Sequence, residues 1–196
     1  MTRYNPGIHH RKSIRLHKYD YSQAGAYFVT VCTKDRECKF GEIRDGRMIL
    51  NDAGRMVEKW WQELRNKFKS VELDANTVMP NHFHGIILVG ADLRVCPDAR
   101  GVHTDEGAHI GAPLQRIIQW FKTMSTNEYI RGIKQNNWQP FPGRLWQRNY
   151  YEHIIRTDEE LERMREYIQN NPMQWEEDEE NPGRNIMQEN TCQEGL

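Results

Sequence analysis

The stretch MPNHFHGIILV, residues 79–89, decides how the rest of the chain is read. Pro80 and Asn81 interrupt whatever precedes them, and HFHGIILVG (82–90) then reads as a strand that is apolar on both faces beyond its histidines, the pattern of a strand covered on two sides. Successive strand side chains point to opposite faces, so His82 and His84 share one side, roughly 7 Å apart at the backbone, and Phe83 points to the other. Two imidazoles so placed can converge on one divalent ion while Phe83 anchors that end of the strand in a core. His-x-His alone is a weak motif, because many strands carry two histidines with no metal between them.

Working outward, VELDANTVM (71–79) alternates as a strand, and AYFVTVCT (26–33), rich in β-branched and aromatic residues, reads as the first strand of the core. FGEIRDGRMIL (40–50) carries Asp45-Gly46 between two apolar runs, the signal of a tight hairpin or ribbon. Asn51 or Asp52 then caps a helix whose Val57, Trp60, Trp61, Leu64 and Phe68 share one face, so core packing explains the tryptophans better than base stacking does. Residues 91–112 turn to Gly, Asp, Pro and His without a hydrophobic period and are expected to form a long mobile loop, in which His103 and His109 read as solvated. Pro113 opens a second helix that buries Leu114, Ile117, Ile118, Phe121 and Met124 and leaves Arg116 and Lys122 outside. After Gly132 the chain is irregular, aromatic and basic. Thr157 and Glu160 form a Thr-x-x-Glu capping box for a last helix that Asn171-Pro172 ends. The order strand, ribbon, helix, strand, strand, helix, helix predicts an α+β fold: an antiparallel sheet with helices packed on one face.

The composition fits one folded domain: 196 residues, 37% hydrophobic, with six Trp, eight Tyr and six Phe. No apolar run reaches the ~20 residues of a membrane span, and no apolar segment follows the basic residues near the start, so the expectation is a cytoplasmic, nucleoid-associated protein without a signal peptide. Cys32, Cys38, Cys96 and Cys192 show no metal spacing and read as reduced thiols, Cys32 in the core. The net charge of -1 conceals an asymmetry. Residues 175–196 hold seven acids and one base, Arg184, which leaves 26 bases and 21 acids before them, a net of +5. The first 18 residues hold Arg3, Arg11, Lys12, Arg15 and Lys18 and no acid, which suits contact with a polyanion. The expected organisation is a basic arm (1–19), a folded domain (20–174) containing the loop 91–112, and an acidic tail (175–196).

The last helix supplies what a metal site on His82 and His84 would lack. Tyr167 and Asn171 are four apart and share a helical surface beside a buried stripe of Leu161, Met164 and Ile168. Read from the helix alone, they are better explained as a core-edge tyrosine and a helix-ending Asn-Pro. Three segments together carry a resemblance. MPNHFHGIILV (79–89) resembles the HUH motif, histidine-hydrophobic-histidine, of the single-tyrosine transposases. LWQRNYYEHIIRTDEELERMREYIQNNP (145–172) resembles the C-terminal signature of their REP-associated branch, and RKSIRLHKYDYSQAGAYFVTVCT (11–33) its usual opening.

The similarity covers about residues 11–180 in the expected order. It implies a ferredoxin-like, RRM-like sheet with the HUH motif on a central strand and a nucleophile on the C-terminal helix. It further implies a Mg²⁺ or Mn²⁺ ion on His82, His84 and the amide of Asn171, with Tyr167 as the nucleophile. Gln169 and Asn170 are alternative amide ligands if the helix ends differently, and Tyr150 and Tyr151 are competing nucleophiles without an amide partner at helical spacing. The implied activity is transposase-like: cleavage and rejoining of single-stranded or hairpin DNA through a covalent 5'-phosphotyrosine, in a monomer or homodimer. Arg11, Lys12, Arg15, Lys122 and Arg148 are the expected phosphate contacts, and Trp146 a stacking residue. Two alternatives stay open: a catalytically inactive nucleic-acid-binding module on the same fold, and a hydrolase using water in place of tyrosine.

Overall fold

The computed structural model describes residues 25–90 and 114–184. The expected basic arm with Arg11, Lys12 and Arg15, the connection 91–112 with His103 and His109, and the end of the acidic tail beyond residue 184 lie outside the described residues.

β1 (Gly25–Cys32) leads into a ribbon of β2 (Gly41–Arg44) and β3 (Arg47–Leu50), then helices α1 (Asp52–Gln62) and α2 (Leu64–Lys67). β4 (Val71–Val78) and β5 (His82–Val89) form a hairpin, and α3 (Leu114–Asn136), β6 (Tyr151–Ile155) and α4 (Asp158–Asn170) complete the order, with a 3-10 turn at 171–177. The main sheet is antiparallel, in the order β4-β5-β1-β6, which puts the histidine strand in its interior. The ribbon turn works as its sequence predicts: Asp45 and Gly46 take φ values of 50° and 68°, both left-handed, as a two-residue primed turn requires. Asn51 caps α1, its side chain accepting from the Gly54 amide at 2.9 Å.

Alternation along the strands divides the core in two. Tyr27, Val29 and Val31 of β1 and Phe83, Ile87 and Val89 of β5 pack with Val57 and Trp61 of α1 and Ile117 and Phe121 of α3. Gly85 belongs to this face because Trp61 lies directly on it: a Cβ there would sit 2.5 Å from the indole. Phe28 and Ile86 point the other way and pack with Ile155 and with Ile168 of α4, flanked by Leu161 and Met164. The expectation of helices on one face is therefore corrected, since α4 lies opposite α1 and α3. Its apolar stripe closes the second face of β5, whose residues 86–89 are too apolar to be left in water. The Arg165 guanidinium pairs with Asp74 of β4 and ties α4 down across the sheet.

Two further expectations change. YEHII, within the segment read as irregular, is the fourth strand and pairs with β1 from Ala26↔Ile155 to Thr30↔Tyr151. The long helix continues beyond Gly132 to Asn136. Thr157 caps α4 as expected by accepting from the Glu160 amide at 3.2 Å, but the Glu160 carboxylate reaches the amide of Arg156, one residue before the cap, and His153. None of the helices among the described residues is long and apolar enough to cross a membrane.

Candidate functional site

The α4 face of the sheet carries a row of directly paired residues, Thr77, His84, Thr30 and Tyr151, contributed by β4, β5, β1 and β6. His82 stands one step along β5, opposite Cys32. Both histidines are buried, with their Nε2 atoms 3.0 Å apart. Phe83, on the other face, packs at 4.6 Å from Trp61 and 5.4 Å from Phe121 between ring centroids, and anchors the strand as its position predicts.

The hydrogen bonds around the rings settle one tautomer. Asn81 donates through Nδ2 to the carbonyls of Arg36 (2.9 Å) and Glu180 (2.7 Å), so its Oδ1 is the atom facing His82 Nδ1 at 2.9 Å. Nδ1 of His82 therefore carries the proton. Burial holds the His82 pKa down at about 4, the Asp178 carboxylate opposing part of that shift, so the ring is neutral at ordinary pH with its lone pair on Nε2. His84 Nδ1 lies 2.8 Å from the Thr30 hydroxyl, which can donate or accept. Burial first, and His82 second, push the His84 pKa well below its usual value.

Three more groups close on the pair. Asn171 is buried at the end of α4; its amide faces both the His82 ring and the Tyr167 phenol, and its Oδ1 is buried with no hydrogen-bond donor in place among the described residues. Tyr167, about 40% exposed, puts its ring 5.3 Å from His84 and 5.8 Å from Phe28. Asp178 brings Oδ2 to 3.8 Å from His82 Nε2 and accepts from Asn171 Nδ2 at 3.3 Å. His82, His84 and Asp178 form a group that could hold a metal ion, their ligand atoms all within 4.8 Å of one another.

This donor set fits a divalent cation. Two Nε2 lone pairs at 3.0 Å repel unless a proton or a cation lies between them. A proton on His84 Nε2 answers this if Thr30 donates to Nδ1; a cation answers it if His84 Nδ1 donates to Thr30 instead. The unsatisfied Asn171 oxygen and the Asp178 carboxylate are oxygen donors of the kind a hard divalent cation prefers, and could complete such a site.

Of the residues singled out in the sequence, His82 and His84 lie on β5, Tyr167 on α4 and Asn171 at its end, and the fold brings all four to one place. Sequence reasoning missed Asp178, one acid in the run 176–180, and set a boundary at 174/175 that the packing does not respect. The Trp175 ring lies 6.0 Å from His82, and the backbone of Glu180 holds Asn81. Asn81 and Thr30 were read only as a strand breaker and a strand residue, and no local signal marks their pairing with the imidazoles. Trp146, expected to stack on bases, is 3% exposed; it packs on Phe40 and Phe121 and donates its indole N–H to Ser125, leaving no free ring face. The Lys122 ammonium, expected at phosphate, donates to the carbonyls of Gln147, Arg148 and Asn149 and braces that loop from beneath. Arg148 is exposed.

Tyr150 and Tyr151 line the same cavity as Tyr167, a space of about 850 Å³. Tyr151 is 52% exposed, whereas Tyr150 packs against the main core. Burial, then Asp178, raises the Tyr167 pKa, and Asn171 lowers it. Cys32 also lines the cavity, but burial and the neighbouring Glu180 push its pKa up to about 12, so it is a neutral thiol.

A Haemophilus influenzae protein described as an uncharacterized protein is 38% identical over 187 residues, covering 91% of this chain and 97% of that protein. The chain belongs to the same family as this protein. No family model matches the sequence. Among solved structures, a REP-associated tyrosine transposase bound to a REP hairpin aligns over 82% of this chain and 74% of its own, at 18% identity and a TM-score of 0.53. That likeness establishes a shared fold for this member of the family.

Proposed function

We propose that this protein is a metal-dependent single-stranded DNA endonuclease and strand-transferase, acting on hairpin-containing DNA with Tyr167 as its nucleophile. The observation that carries the reading is the convergence of two buried Nε2 atoms 3.0 Å apart with the Tyr167 ring, whose centroid lies 5.3 Å from that of the His84 ring, in a cavity open to solvent. The fold shared with a hairpin-bound tyrosine transposase supports DNA as the partner.

The residues that would hold the ion are His82 and His84, with Asn171, as the family resemblance implies, and Asp178 as oxygen donors. When bound, the ion supplies polarisation of the scissile phosphate and neutralises the charge that develops there. Asn81 keeps the His82 lone pair aimed into the site, and Thr30 accommodates either tautomer of His84. A phenol is a weak nucleophile at neutral pH, and here burial, and after it the carboxylates of 178–180, hold its proton more tightly. Asn171 works the other way, favouring the phenolate. Attack by Tyr167 Oη on phosphorus forms a phosphotyrosine on the 5' side and releases the 3'-oxygen, which takes up a proton. The phosphodiester energy is retained in the covalent bond, so a 3'-hydroxyl can reverse the step on another strand without ATP.

The test is incubation with hairpin-bearing single-stranded DNA and Mn²⁺, followed by denaturing electrophoresis. A protein–DNA adduct is expected from the wild type and from Tyr151→Phe, and none from Tyr167→Phe. An adduct that survives Tyr167→Phe and disappears in Tyr151→Phe moves the nucleophile to β6. Cleavage with no adduct in any variant replaces tyrosine with water.

A further inference from the structure

We propose that a basic groove beside the cavity, formed by the 34–36 turn and the 144–148 loop, binds the phosphodiester backbone of the DNA strand as it leaves the tyrosine site. Beyond the end of β1, Lys34 N donates to Leu145 O (2.8 Å) and Gln147 N to Cys32 O (2.9 Å), with a bridge between Thr33 and Trp146. These bonds lock the two segments side by side. Asp35 and Arg36 take left-handed φ values of 60° and 56°, turning the chain sharply so that the side chains of Lys34 and Arg36 border the groove with Arg144 and Arg148.

The charge is one-sided. Lys34, Arg36, Arg144 and Arg148 surround a space of about 420 Å³ with a single acid, Asp35. Lys34 is paired with Asp35 and Arg36 with Glu180, whereas Arg144 and Arg148 have no carboxylate partner among the described residues. Arg144 and Arg148 also face a second hollow of about 610 Å³ against α3, so the loop between them presents cations on both sides. Lys122 braces this loop from below through its backbone carbonyls.

The cavity holding Tyr167 has an acidic wall of Glu177, Asp178, Glu179 and Glu180, of which Glu180 is paired with Arg36 at 2.8 Å. A polyanion passing that wall would be repelled. Gln147 lines the cavity and both basic hollows, which makes this loop the route on which phosphates meet positive charge within reach of the tyrosine.

The inference takes its DNA partner from the strand-transfer reading, and its test separates the two. Binding of a fluorescein-labelled DNA hairpin with unpaired flanks is followed by anisotropy across a salt series, for wild type, Arg144→Gln/Arg148→Gln and Arg131→Gln/Lys134→Gln. The last pair removes equal charge from an exposed part of α3 away from the groove. Each phosphate contact on a single strand contributes about 0.7 to the slope of log K against log salt, so the groove variant should be shallower by about 1.4, with affinity down about tenfold or more at low salt. Wild-type affinity and slope in the groove variant, or an equal loss in the α3 variant, would overturn the groove. Failure of the wild type to bind the hairpin overturns the groove and the DNA reading together. Groove-dependent binding with no adduct in any protein leaves the groove standing and removes the strand-transfer reading.

Discussion

Taking the metal-free protein from about pH 7 to about pH 4.5 is expected to cost it about 2 kcal/mol at His82 alone. The folded pKa is about 4, against 6.5 for an unperturbed histidine. Between those values the unfolded chain binds a proton that the folded chain refuses. Stability is therefore complete above the unfolded pKa and falls as pH drops towards the folded one. The cause is burial: His82 is fully enclosed, its Nδ1 is committed as a donor to Asn81, and Asp178 offsets only part of the desolvation. The assay is urea unfolding in chelator, followed by tryptophan fluorescence, for wild type and His82→Gln at both pH values. With a slope of about 2 kcal/mol per molar urea, the wild-type midpoint should fall by about 1 M more than that of the variant. The carboxylates of Asp74 and Glu160, whose pKa values are lowered, remain in both proteins, so the difference reports His82 together with the part of the His84 shift that His82 causes. An equal midpoint loss in His82→Gln would refute the argument and, with it, the buried neutral imidazole on which the metal site depends.

Asn81→Ala should release the His82 tautomer and weaken Mn²⁺ binding by about 10–100-fold, with nitrogen NMR showing a mixture of protonated Nδ1 and Nε2; a single Nδ1–H tautomer in the variant would refute it. Asp178→Asn should lower Mn²⁺ affinity by about tenfold or more in calorimetry, and an unchanged affinity would leave Asn171 as the oxygen ligand without it. Gly85→Ala should destabilise the fold by about 1–3 kcal/mol, read as a lower melting temperature, because the new methyl meets Trp61 and Phe83 in a filled core; an unaltered melting temperature would mean that Trp61 can move aside.

Elements whose signal is local were legible. β1, the Asp45-Gly46 ribbon, the Asn51 and Thr157 caps and the His82–His84 strand each depend on residues within a few positions of one another, and the structure has each where its pattern places it. Strand YEHII was not legible: five residues after a Pro- and Gly-interrupted segment carry no period of their own, and only the free edge of β1 makes them a strand. Trp146 has the residue type of a stacking platform, and its burial between Phe40 and Phe121 is a long-range fact. Lys122 reads as a surface cation until the loop 147–149 folds its carbonyls onto it.

By itself the sequence determined the periodicities: which residues alternate, which share a helical face, and hence that His82 and His84 point together and that Tyr167 and Asn171 are neighbours. Tertiary structure alone decided that these two pairs meet, that α4 crosses the sheet on the side opposite α1 and α3, and that Asp178, from a run of five acids, is the one beside His82. The physical reason is range. Backbone geometry sets directions over a turn or a strand, whereas the Ile168–Phe28 packing and the Arg165–Asp74 pair that bring α4 onto the histidines join residues too far apart in sequence for any local pattern to record.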